Sequence, residues 1–418
     1  MATTDIGAVH GSRVVWTAFV VAMFGFGVGF YGPGIYLVAL HRSHGWPIAT
    51  ISLAITAHFL AGALLITVLP DVHRRFGAAA TTVSGAALAA AGAIAWTNAR
   101  EVWQLVPALL LSGAGWSAMS GAALNLIVAP WFERDRAWAI STAFNGASIG
   151  GLLFAPLWTA PIAHAGLEAA GAMVAFATVT IVGPLAWVVL RRAPPATASK
   201  GAPPMTRRAL LGQPGFMTLS AAFALGMFVQ IGLFAHLIAR LEPAFGSTIA
   251  AFAISLATLC AVVGRSLMGR LLGWHDRRLA AAANFLVQAV GTLLLAFGEG
   301  MAPLALGCVL FGLGVGNLVS LPPLIAQREF RPADVGTVVA LVTAINQAVF
   351  AFAPVIFGGL RDATGAYPEA FLAGAVLQAV AAGIIVLGRL VKRRPSWTCY
   401  AASLPASPAK KGRKTRDV

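Results

Sequence analysis

Apolar runs of about twenty residues or more follow one another along nearly the whole chain, and that succession restricts what it can fold into. A helix needs about 20 apolar residues to cross a bilayer. Reading for such runs gives twelve: 14–40, 48–70, 78–98, 103–130, 137–162 and 167–190, then 214–240, 248–272, 279–298, 302–326, 335–360 and 367–391. The chain is 58% hydrophobic and only 10% charged, with a mean hydropathy of +0.81, whereas about a quarter of a soluble domain is charged. The expected class is an all-α integral membrane protein with twelve transmembrane helices. The first run is too long for a signal-peptide core and ends without an A-x-A-like site, so it reads as a retained helix.

One gap differs from the others. Residues 191–213 hold Pro194, Pro195, Pro203, Pro204, Ser199 and five basic residues, the composition of a linker. The expected organisation is a segment 1–13, a six-helix bundle over 14–190, the linker 191–213, a second six-helix bundle over 214–392, and a basic tail 393–418. Counting Lys and Arg in alternate connections places 24 on the side of the N-terminus and four (Arg42, Arg100, Arg240 and Arg361) on the other. By the positive-inside rule both termini are cytoplasmic. The net charge of +15 therefore reflects orientation and attraction to anionic lipid headgroups rather than a nucleic-acid-binding face.

The two halves echo each other. Phe154-Ala155-Pro156 recurs as Phe352-Ala353-Pro354, shifted by 198, and Gly113 and Gly115 answer to Gly312 and Gly314. A near-constant offset points to parallel repeats related by an axis along the membrane normal. Gly25, Gly27, Gly29, Gly32, Pro33 and Gly34 crowd the first run, where they suit either close helix packing or bending.

Arg265 is a permanent cation inside an apolar stretch. Its neighbours one helical turn away are Ala261, Val262, Met268 and Gly269. A charge at mid-bilayer costs on the order of 3 kcal/mol or more unless something pairs with it. A cation without a built-in anion suggests an anionic ligand, although a long side chain can also snorkel to the headgroups. One guanidinium holds one carboxylate in bidentate fashion, so a lone cation suits a monocarboxylate better than a dicarboxylate. All 14 acidic residues fall in loops, tails or span ends, which leaves no carboxylate proton relay. His58, midway along the second run, is the candidate coupling residue for a co-transported proton; its other reading is a neutral imidazole bonded to a neighbouring helix. The three cysteines, Cys260, Cys308 and Cys399, have no metal-ligand spacing. No metal, no cofactor and no G-x-x-x-x-G-K-[ST] phosphate loop is expected. Neither a nucleophile elbow nor a metal-spaced histidine cluster suggests an enzyme.

On these residues the chain resembles the major facilitator superfamily of transporters, over about residues 14–392. Leu69-Pro-Asp-Val-His-Arg-Arg-Phe-Gly77 resembles the superfamily's cytoplasmic G-x-x-x-D-R-x-G loop, with Arg74 where the Asp is expected and Asp71 three residues earlier. Gly269-Arg-Leu-Leu-Gly-Trp-His-Asp-Arg-Arg278 is similar to its counterpart in the second half. The resemblance implies that Asp71, Arg74, Arg75, Asp276 and Arg277 form cytoplasmic gate contacts, with Asp276 and Arg277 as the intact pair. Gly45-Trp46-Pro47 and Gly264-Arg265-Ser266-Leu267-Met268-Gly269 are similar to the monocarboxylate porter and oxalate–formate exchanger branch, whose arginine contacts the substrate carboxylate. The Asp and Lys partners of that branch are missing: position 261 is Ala, and no Lys occurs in 14–40 or 335–360. The resemblance also implies that Tyr31, Tyr36, Trp116, Asn125 and Asn317 lie on cavity-lining helices. Asn145, Ser148, Asn346 and Gln347 are further candidate solute contacts. The expected function is a monomeric secondary transporter of the inner (plasma) membrane, moving a small organic anion, a monocarboxylate, by alternating access. The rival is efflux of an amphipathic drug or metabolite, with Arg265 structural.

Overall fold

The computed structural model describes residues 2–132, 135–192, 205–271 and 276–392. Most of the expected linker, 193–204, and the basic tail 393–418 lie outside the described residues. Every regular element among the described residues is helical, as hydrocarbon demands of a backbone that must pair its own polar groups.

Helix α1 (Ala2–Phe24) passes through a π-helical turn, Gly25–Phe30, into α2 (Gly32–His44). The glycine-rich stretch is therefore a local widening of the helix, with Gly25 to Gly29 buried against neighbours. Helix α3 (Ile48–Thr97) is 50 residues long, about 75 Å if straight, against roughly 30 Å of hydrocarbon. It leaves helical geometry at Gly77, with φ 81° and ψ 164°, a conformation that favours a residue without a Cβ. Helices α4 (Leu105–Met119) and α5 (Gly121–Val128) meet at the extended Ser120. Helix α6 (Arg136–Ala177) breaks at Gly166, φ 87°, and continues through the π-helical Thr178–Val182 into α7 (Gly183–Leu190).

The short α8 (Arg207–Leu211) precedes α9 (Pro214–Leu271). Phe234 packs its ring 5.4 Å from that of Phe311, while a Cβ on Gly312 would lie 2.6 Å from the Ala257 carbonyl. On one straight helix, Phe234 and Ala257 would stand about 34 Å apart; α9 must double back between them. There follow α10 (Arg277–Phe297), α11 (Met301–Val315), α12 (Asn317–Glu329), α13 (Pro332–Phe350), α14 (Ala353–Thr364) and α15 (Tyr367–Lys392).

Among the described residues, nine helical runs are long and apolar enough to cross a membrane. Two of them, Ala49–Thr97 and Arg136–Leu190, each cover two of the expected spans, and α9 continues past its run, Pro214–Leu237, through the expected eighth. Large apolar side chains such as Leu53, Phe176 and Val188 point outward, as a surface facing lipid requires.

Candidate solute site

Arg265 does not snorkel. It is 2% exposed, and its guanidinium reaches from α9 to α6 and to the junction of α11 and α12. Nε donates to the Gly316 carbonyl at 2.8 Å. Nη1 donates to the Phe144 carbonyl at 2.5 Å, Asn145 Oδ1 at 3.2 Å and Ser148 Oγ at 3.3 Å. Gly316 permits the approach, since a Cβ there would sit 3.0 Å from Arg265 Nε. All of these acceptors are neutral. Among the described residues Arg265 forms no ion pair. Asn145 also donates to Ser266 Oγ at 3.1 Å, a second tie between α6 and α9. Tyr31 meets Phe30 edge-on at 5.1 Å, its ring over Gly151 of α6.

A cavity of about 40 Å³ lies beside this cluster, walled by Phe26, Phe30, Trp116, Phe350, Asn346 and Gln347 among others. Phe26 meets Trp116 edge-on at 4.9 Å, and Phe30 meets Phe350 at 6.0 Å and Phe59 at 5.9 Å. Trp116 Nε1 donates to Gln347 Oε1 at 2.6 Å, and Gln347 Nε2 donates to the Phe59 carbonyl at 2.7 Å. Ala147, between the two Arg265 acceptors Asn145 and Ser148, packs with Phe26 and Trp116. Leu318 and Val319, just beyond the acceptor Gly316, line the cavity. The cation thus lies next to the aromatic walls, although Arg265 itself does not line the cavity. Phe26, Phe30, Phe59 and Phe350 carry no sequence signal that separates them from any other phenylalanine in an apolar run.

Of the residues expected in the site, Arg265, Tyr31, Trp116, Asn145 and Asn346 come together, and four lie elsewhere. Tyr36 is 1% exposed and packed between Trp96 and Trp158. Asn125 accepts from Gln327 at 3.2 Å, tying α5 to α12. Asn317 donates to Asn284 Oδ1 at 2.8 Å. His58 is fully buried, with Nδ1 2.8 Å from Ser112 Oγ and Nε2 3.0 Å from the Gly29 carbonyl. Both ring nitrogens are occupied by helix-to-helix bonds, the geometry of a packing histidine.

The family profile of the Major Facilitator Superfamily matches residues 17–354. This chain belongs to the Major Facilitator Superfamily. It is 25% identical over 405 residues to monocarboxylate transporter 13 of Bos taurus, covering 94% of this chain and 91% of the relative. The superfamily transporter FucP, crystallised in its outward conformation, shares the fold with a TM-score of 0.71 at 16% identity, over 90% of this chain and 99% of that one. The human organic anion transporter MFSD10 (TETRAN) does so with a TM-score of 0.66 at 17% identity, over 91% and 99%.

The loops that resemble the superfamily's motif use their charges differently from the expected pairing. Asp71 accepts from Arg74 at 2.7 Å and from Arg207 of α8, so the displaced acid still makes loop contacts. Arg75 instead lies over the Phe76 ring, 5.3 Å from its centroid. Asp276 pairs with Arg389 at 2.5 Å rather than with Arg277. The reason is local: Asp276 is the N-cap of α10 and its Oδ1 accepts from the Arg278 and Leu279 amides, while Arg277 points across to the Leu324 carbonyl of α12. Burial pushes the Asp276 carboxyl up, but the hydrogen bonds from Arg389 and the two amides outweigh it and hold the group below the usual carboxylate range. Sequence reading missed the buried pair of Arg278 with Glu329, which sits at helix ends where acids and bases are ordinary.

Proposed function

We propose that this superfamily member is a secondary transporter of a small organic anion, a monocarboxylate, and that Arg265 holds its carboxylate. The observation that carries this reading is a guanidinium 2% exposed whose hydrogen-bond acceptors are all neutral oxygens. Among the described residues its charge lacks a counterion, and a carboxylate entering beside it would supply one. The likeness to a relative named as a monocarboxylate transporter supports the same class of solute.

The topology that suits this role is twelve spans in two six-helix halves, 14–190 and 214–392, with both termini cytoplasmic in the plasma membrane. Arg265 and Asn145 then bridge the halves, as does Trp116 with Gln347. Asn125–Gln327 joins the two halves nearer the basic loops, and Asp71–Arg207 ties the first half to the linker. Those ties support a state closed toward the cytoplasm. A cavity of about 40 Å³ has room for water but not for an organic acid, so solute binding requires the halves to move.

A second reading is efflux of an amphipathic solute, with Arg265 as a structural latch. Its support is that Arg265 donates to oxygens on α6 and at the junction of α11 and α12, bonds that hold these helices together. Counterflow of radiolabelled monocarboxylates in proteoliposomes separates the two. Carboxylate transport should fall at least about tenfold in Arg265→Lys and Arg265→Gln, a loss of roughly 1.4 kcal/mol. Undiminished transport of every tested anion would sink the carboxylate reading.

A further inference from the structure

The tenth expected span is not one helix. Helix α11 stops at Val315 and α12 starts at Asn317, with Gly316 between them. The last four carbonyls of a helix lack the usual donor from the next turn, so a break within a span leaves acceptors to be paired by other means. Side-chain amides reach two of them. Asn317 Nδ2 donates to the Leu313 carbonyl at 3.2 Å. The Gly314 carbonyl takes the Gly316 amide and, at 3.3 Å, Asn284 Nδ2 from α10. The two side chains are also joined to each other, Asn317 Nδ2 to Asn284 Oδ1 at 2.8 Å. Asn284 is 5% exposed and Asn317 2%.

This break carries one of the acceptors of Arg265. The Gly316 carbonyl receives Arg265 Nε at 2.8 Å, and Gly316 lies between Gly314, held by Asn284, and Asn317 itself. The Arg265 side of the contact has no slack. A Cβ on Gly264 would lie 2.0 Å from the Leu313 carbonyl, and one on Gly316 would lie 2.4 Å from the Ala261 carbonyl. Backbone meets backbone at both places, so a displacement of the break passes to α9 without a side chain to absorb it. Neither Asn284 nor Asn317 lines the aromatic cavity, so any effect of theirs on a solute there is indirect.

We propose that Asn284 and Asn317 are positioning residues for Arg265. They fix the break between α11 and α12, the break fixes the Gly316 carbonyl, and that carbonyl fixes the plane of the guanidinium that meets the solute. The last link rests on the reading of Arg265 above; the link from the two amides to Arg265 does not. A guanidinium fork turned out of plane loses its bidentate fit to a carboxylate, so solute binding weakens before transport capacity does.

The test uses the purified full-length protein in proteoliposomes, with radiolabelled acetate, propionate and pyruvate in counterflow. In Asn284→Ala the half-saturating concentration should rise about tenfold for the acids the parent transports, while the maximal rate stays within about twofold. A residue that serves packing alone gives the opposite split: less active protein, a lower maximal rate and unchanged half-saturation. Asn317→Ala should behave in the same way, and it serves if Asn284→Ala does not fold. A second measurement needs no solute. Thermal unfolding of Arg265→Gln, Asn317→Ala and the double variant should show coupling: the double variant's midpoint falls by clearly less than the sum of the two single shifts, as for residues that share one network. Half-saturation unchanged within about twofold in both alanine variants, or additive midpoint shifts, overturns the proposal. If the parent transports none of these acids, the Arg265 reading fails separately and the unfolding cycle alone decides the positioning role.

Discussion

Arg278 grips Glu329 through two parallel hydrogen bonds, Nε to Oε1 at 2.8 Å and Nη2 to Oε2 at 2.9 Å. The same guanidinium donates to the Gly215 and Ile385 carbonyls and to Thr218 Oγ1, so α9, α10, α12 and α15 meet at one charge. Arg265 is equally buried and, among the described residues, pairs with no carboxylate. One arginine carries its counterion within the chain, and the other is the one proposed above to meet a solute carboxylate.

Breaking the first pair should therefore damage the fold. Glu329→Gln leaves Arg278 buried without its acid, and removing one partner of a buried pair typically costs about 3–5 kcal/mol. Thermal unfolding of the purified variant should show a clearly lowered midpoint. An unchanged midpoint would mean that the pair contributes nothing beyond its surroundings.

Gln347→Leu should loosen the tie between Trp116 and Phe59. It strands the buried Trp116 N–H and the Phe59 carbonyl, at about 1–3 kcal/mol for each unsatisfied group. The expected outcome is reduced thermal stability together with altered solute affinity, measured by unfolding and by counterflow on the same preparation. Trp116→Phe removes the donor while keeping a ring, so it should reproduce part of the effect. Loss in neither variant would show the strap to be dispensable.

His58 should prove structural. Its ring is held by Ser112 and the Gly29 carbonyl, so His58→Gln should lower stability by about 1–3 kcal/mol and leave any dependence of uptake on an imposed pH gradient intact. Uptake assayed with the outer side acidified gives the answer. If a pH-driven component exists in the parent and disappears only in this variant while the protein remains folded, His58 carries the proton after all.

Asp276 supplies a pH dependence at the membrane surface. Its carboxyl is held below its ordinary value in the folded protein, so its stabilising effect is present above the unfolded-state value and is lost as pH falls through the folded one. Acidification through the carboxylate range should weaken both the Arg389 bridge and the cap on α10. Asp276→Asn can still cap the helix but cannot ion-pair, so its unfolding midpoint should vary less with pH over that range than the parent's. Parallel curves for the two proteins would remove Asp276 from the acid response.

Much of the architecture was legible in the chain. The apolar runs predicted the helices, because length and apolarity are local properties; the breaks at Gly77 and Gly166 came from the structure. The acidic residues were read at span ends, and the Arg278–Glu329 pair lies there. The site was legible only in part. Arg265 announced itself because a lone cation in hydrocarbon is costly wherever it lies, and Asn145 does bond to it, while Trp116 and Asn346 line the neighbouring cavity. Asn125, Asn317 and His58 looked equivalent in sequence but bond to neighbouring helices, and Tyr36 packs its ring between Trp96 and Trp158, since a polar residue in a span reveals a need for a partner without naming the partner.

The sequence by itself determined an all-helical membrane chain containing an arginine without a local counterion. Tertiary structure alone decided that Arg265 meets Phe144 and Ser148, more than a hundred residues away, and that Gln347 is engaged by Trp116 and the Phe59 carbonyl. The physical reason is that helix formation depends on neighbours in sequence, whereas hydrogen-bond satisfaction depends on which helix faces are brought together.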